Sequence, residues 1–84
     1  MGDTINEIEV TVLAFGPLAE RLGSRRHLHT VPTGSTVAEL VRSLGLDEWL
    51  SFGLSVAING ERCGHDTPIQ ATCEVALLPP VSGG

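Results

Sequence analysis

Eighty-four residues make one small domain, with a single core and no room for a deep internal active site. Ten Asp and Glu stand against five basic residues, all of them Arg; the net charge of -5 argues against nucleic acid and anionic membranes as partners and suits a partner with a basic groove. The hydrophobic share of 42% reads either as a tightly packed core or as apolar surface kept for a partner.

In chain order, Ile5 to Phe15 alternates, with Ile8, Val10, Val12 and Ala14 on one face and Glu7, Glu9 and Thr11 beginning the other. That period predicts a strand. Gly16-Pro17 stops it, and Pro17 opens a short helix, Leu18 to Leu22, which Gly23 ends. Arg26 to Val31 is a second strand, joined to the first as a looped pair, and Pro32-Thr33-Gly34 turns the chain. The main helix follows: Thr36 caps it, Glu39 completes a capping box, and Val37, Leu40, Val41 and Leu44 share a face. Gly45 stands where a left-handed terminal residue belongs. Asp47 to Gly53 adds a further helical turn, whose Trp49, Leu50 and Phe52 read as core or as a partner-facing patch. Ser55 to Ile58 is a strand, and Asn59-Gly60 signals a type I′ hairpin into Glu61-Arg62-Cys63. Asp66-Thr67-Pro68-Ile69 reads as a turn. Glu74 to Leu78 is the last strand, continuously apolar and therefore central. The order predicts an α+β roll: a mixed sheet with one main helix on one face.

No catalytic or metal constellation stands out. Cys63 and Cys73 are not a C-x-x-C pair; they read as small buried apolar residues, reduced, with no structural zinc. His27 and His29 share a strand face, but His65 is the only third histidine, so no metal is expected. No nucleophile has a recognisable base, so the isolated chain is not expected to turn over substrate. Met1-Gly2 resembles a myristoylation start, but Asn6 replaces the required Ser or Thr. With no secretory n-region and no apolar run of membrane-spanning length, a cytoplasmic protein is expected.

The end of the sequence breaks the pattern. Residues 1–78 form the folded domain, and residues 79–84, Pro79-Pro80-Val81-Ser82-Gly83-Gly84, form an extended tail. The prolines cannot join a sheet ladder and favour an extended path, so the tail reaches at most ~20 Å from the body. A stiffened tail loses less entropy on entering another protein, and glycines without a Cβ fit a narrow channel. The reactive group is then the Gly84 carboxylate, with Gly83 beside it. Being a poor electrophile, it must be activated, an acyl-adenylate from ATP being the favoured route, and sulfur can then replace the adenylate to give a thiocarboxylate; a frayed, solvated end on a plain binding module is the other reading of these residues.

Four segments carry a resemblance that spans nearly the whole chain: Val12 to Leu18, Gly34 to Leu40, Val56 to Glu61 and, most specifically, Glu74 to Gly84. The chain resembles the small, sulfur-carrier subunit of molybdopterin synthase, of the MoaD/ThiS type, within the ubiquitin-like β-grasp superfamily that includes the thiamine sulfur carrier. The resemblance implies a β-grasp roll with a mixed four- to five-stranded sheet, one main helix and a flexible C-terminal Gly-Gly tail. It implies adenylation of Gly84 by a ubiquitin-activating-type enzyme using ATP, and sulfur from a donor protein. The large synthase subunit would then take the loaded tail in a heterotetramer, and sulfur would pass to cyclic pyranopterin monophosphate. No cofactor is expected to be stably bound. Two departures from the family pattern are Ala71-Thr72-Cys73, where a Gly-Asp turn is common, and Ala19, where many relatives carry Arg. Two further functions keep the same tail chemistry or part of it. One is a carrier for thiamine, cysteine or a secondary metabolite, and the other is a ubiquitin-like modifier forming isopeptide bonds through Gly84.

Overall fold

The computed structural model describes residues 6–80. The chain order is β1 (Glu7–Ala14), α1 (Pro17–Leu22), β2 (Arg26–Pro32), α2 (Val37–Ser43), α3 (Asp47–Ser51), β3 (Ser55–Ile58), β4 (Glu61–Cys63) and β5 (Cys73–Leu78). The strands form one five-stranded sheet in the order β2-β1-β5-β3-β4. β1 and β5 are parallel, with Val12 opposite Val75, and every other pair is antiparallel. The last strand therefore inserts at the centre, as its apolar run predicts, and the mixed α+β roll is the observed fold.

The alternation in β1 sends Val10, Val12 and Ala14 into the core at 1% exposure or less, beside Val75 and Leu77 of β5 and Val56 of β3. Val37, Leu40 and Val41 of α2 close that face, and Leu18 of α1 joins them. The α2 N-terminus is held as a reciprocal capping box: the Glu39 amide donates to Thr36 Oγ1 at 3.2 Å, and the Thr36 amide donates to Glu39 Oε1 at 2.8 Å. Gly45 takes φ 76 just past the helix, and the Asn59-Gly60 turn has φ 50 and 86, the positive pair a type I′ hairpin requires.

Three details differ from the sequence reading. Leu44 is half-buried at the α2 C-cap, and Leu46, two residues on, is the fully buried one, because the chain turns at Gly45 and swings Leu46 back under the helix. The turn expected at Asp66 to Ile69 lies earlier: the Thr67 amide donates to the Gly64 carbonyl. From that turn the chain passes the start of α2 as far as Ile69, and the Val37 and Ala38 amides donate to the Thr67 and His65 carbonyls at 3.0 and 2.7 Å. This segment supplies acceptors to helix amides that have no intrahelical partner, and it drives Ile69 into the core. Cys63 and Cys73 are free and half-buried rather than buried, because one sits on the edge strand β4 and the other opens β5 beside the Ala71-Thr72 bend.

Candidate functional site

The site is built where β5 leaves the sheet. Because β5 is parallel to β1 and antiparallel to β3, its end emerges beside the exit from β1 and the entry to β3. A glycine stands at each: Gly16, with φ 57 and ψ -130, and Gly53, with φ 89. These conformations strain any residue with a Cβ. Both glycines face the tail root. A Cβ at Gly16 would lie 3.7 Å from Cγ of Pro79, and one at Gly53 would lie 3.9 Å from Cβ of Pro80. Pro79 is half-buried between its neighbours and Pro80 is exposed. The predicted reactive residues Gly83 and Gly84 lie outside the described residues, as do Val81 and Ser82.

Each of these glycines follows a phenylalanine. Phe15 is 44% exposed and Phe52 is 57% exposed; with Leu28 at 62% they are the exposed large hydrophobics among the described residues. Two Phe-Gly pairs therefore flank the Pro79-Pro80 root. The two readings of the Trp49, Leu50 and Phe52 group divide between its members: Trp49 and Leu50 pack against the core, while Phe52 stands out. The Phe52 ring meets Trp49 edge-on, with centroids 5.8 Å apart at 80°, and the buried Trp49 Nε1 has no hydrogen-bond partner among the described residues.

Among the described residues, the sheet face opposite α2 carries no helix. Strand alternation places Leu13, Leu28, Ala57, Ala76 and Leu78 there, with Arg26 opposite Leu13 and Arg62 opposite Ala57. Leu28 is opposite Thr11, which is itself opposite Glu74. The result is a shallow apolar strip edged by both signs of charge and continuous in sequence with the tail through Leu78.

Among the described residues there is no pocket, and no group of His, Cys, Asp and Glu could hold a metal ion. His29 Nε2 and Ser43 Oγ share a hydrogen bond of 2.9 Å, and His65 Nε2 donates to the Leu54 carbonyl at 2.6 Å. Burial, and secondly the nearby Cys63 thiol, push the Cys73 thiol above its ordinary value. No helix among the described residues is long and apolar enough to cross a membrane. The Phe-Gly frame was legible only as two scattered dipeptides; nothing in the spacing of Phe15 and Phe52 shows that both border the same strand end.

The model of the ThiS family matches residues 12–84 of the chain. No curated protein matches it. Among solved structures, the chain is similar to the protein SAMP1 of Haloferax volcanii, at 33% identity over 90% of this chain and 99% of that one, with a TM-score of 0.70. Small archaeal modifier protein 1 of Methanosarcina acetivorans is similar at 25% identity over 94% and 99%, with a TM-score of 0.70. A putative molybdopterin converting factor subunit 1 of Pyrococcus furiosus shares the fold, with a TM-score of 0.72 at 20% identity over 88% and 99%.

Proposed function

The chain belongs to the ThiS family, which joins ubiquitin-like sulfur carriers and protein modifiers, and from that membership we propose that it is the sulfur-carrier subunit of a molybdopterin synthase. The observation that carries this reading is the tail root: a central strand runs into two prolines faced by two glycines, with Gly83-Gly84 beyond in the sequence. The Gly84 carboxylate oxygen attacks the α-phosphorus of ATP in a ubiquitin-activating-type enzyme and releases pyrophosphate. A donor protein supplies sulfur at the oxidation level of sulfide, which displaces AMP and leaves a thiocarboxylate. The large synthase subunit then takes the tail in a heterotetramer, and sulfur passes to cyclic pyranopterin monophosphate. In this reading the carrier contributes reach, direction and the portable atom, and the partners contribute the chemistry. The carrier itself holds no cofactor.

Reconstitution with the large subunit tests it. The intact mass of the loaded protein should show one oxygen replaced by sulfur, and precursor conversion should stop when Gly84 is deleted. Conversion that survives the deletion would sink the carrier reading; binding to thiazole synthase in place of the large subunit would move it to thiamine synthesis.

A second reading, protein modification, is favoured by the likeness to SAMP1. The chain contains no Lys, so it cannot build lysine-linked polymers of itself. Conjugates on other proteins would carry single copies, would shift on gels, and would vanish without Gly84.

A further inference from the structure

We infer that Phe52 is a docking residue for the acyl-adenylating enzyme that activates the tail, seated by its ring against the apolar rim of the channel that Gly83-Gly84 enter. The argument is one of reach. Four residues lie beyond Pro80, and fully extended they span at most ~14 Å. A body that encloses the Gly84 carboxylate in an active site must therefore close onto the tail root itself. What it meets there is Phe52, 57% exposed and next in the chain to Gly53, whose Cβ position faces Pro80. α3 is short and ends at this point, and Gly53, with φ 89, turns the chain back into β3. The ring is thus held at the tip of a turn against Trp49, pre-positioned and still largely in water. An exposed aromatic with a fixed seat gains its full hydrophobic contribution only when a partner covers it, and it loses little side-chain entropy in doing so. Phe15, before Gly16, borders the same root from the β1 side, so the rim is apolar on both flanks of the prolines.

This inference rests on the reading that Gly84 is adenylated, and it holds for a sulfur carrier and for a modifier alike. The test is ATP–pyrophosphate exchange by the activating enzyme of the same host, with the carrier as the varied substrate. Phe52→Ser should raise the KM for the carrier about ten-fold and leave kcat within about two-fold, because the rim binds ground and transition states equally. Phe52→Leu should restore most of the KM. Gln70→Ser, exposed before the start of β5 and so at the end away from the tail, should behave as the unaltered chain. Thermal unfolding of each variant separates lost docking from lost packing against Trp49. An unchanged KM in Phe52→Ser, with exchange still dependent on Gly84, overturns the inference. So does a dimer of the unaltered chain in sedimentation that Phe52→Ser dissolves without moving KM, since the ring then serves a second copy. Exchange that persists without Gly84 overturns the underlying adenylation reading instead.

Discussion

One face of the sheet is closed and the other is open, and the two obey different rules. On the α2 side, Val10, Val12, Val56, Val75 and Leu77 are at most 1% exposed, packed under Leu40 and Val41. On the far side Leu13, Ala76 and Leu78 are half-buried and Leu28 is 62% exposed. The closed face is apolar across β1, β5 and β3, whereas the far face is an apolar strip among Glu9, Arg26, Arg62 and Glu74. In a domain this small a single layer of helix can close one face; the remaining apolar surface and the tail root lie on what is left over. Stability is concentrated on the closed side, and the open side and its edge at Pro79-Pro80 are free to be shaped by binding.

The contrast can be broken by paired truncations. Leu40→Ala removes a fully buried side chain from α2 and should cost about 2–5 kcal/mol, a large part of a total on the order of 4–12 kcal/mol. Leu28→Ala on the open face should stay within about 0.5 kcal/mol. Equal losses in urea titrations would mean that the open face is not a separate surface.

Gly16→Ala sharpens the role of the edge. Space for the methyl exists beside Pro79, so its cost of about 1–3 kcal/mol would come from the backbone conformation alone. Thermal melts should show the loss. If the variant is as stable as the unaltered chain, β1 does not need Gly16 to hand over to α1 beside the tail.

The α2 cap gives a smaller effect. Thr36→Ala should cost about 1 kcal/mol by freeing the Glu39 amide. A loss well above that would show that Thr36 also holds the extended segment near Pro68, with which it forms a bridge.

The smallest expected effect is on Cys73. Its folded thiol titrates above the ordinary value of 9.0, so the folded state keeps the proton longer than the unfolded chain. The stability this gives is complete below that value and is lost as pH rises through the folded pKa. Alkylation of Cys73 should be slower than that of a free thiol at mildly alkaline pH, and Cys73→Ala should remove part of the alkaline loss of stability. Alkylation as fast as a free thiol would show that the start of β5 opens readily.

Much of the fold was legible because its signals are local. Alternation in β1, the Thr36–Glu39 box, Gly45 and Asn59-Gly60 each act over a few neighbouring residues, and each appears in the structure where its chemistry places it. The Asp66 to Ile69 segment escapes a local reading because its long-range hydrogen bonds go to Gly34, Ser35 and Val37, some thirty residues away in the chain. Leu46 was missed because its burial depends on the turn at Gly45 rather than on helical spacing. Phe52 stayed ambiguous for a related reason: α3 is too short to define a buried face, so the side chain's exposure depends on where Gly53 sends the chain.

Sequence alone therefore determined the elements, the apolar face of each strand, and the Pro79-Pro80 lead into Gly83-Gly84, since these depend on periodicity, turn chemistry and missing donors or Cβ atoms. Only the tertiary structure decided that β5 inserts between β1 and β3, and so that Gly16 and Gly53, far apart in the chain, meet the two prolines. Strand insertion is a non-local choice, made by the best burial of the whole sheet, and no residue-level pattern encodes which two loops will border the last strand.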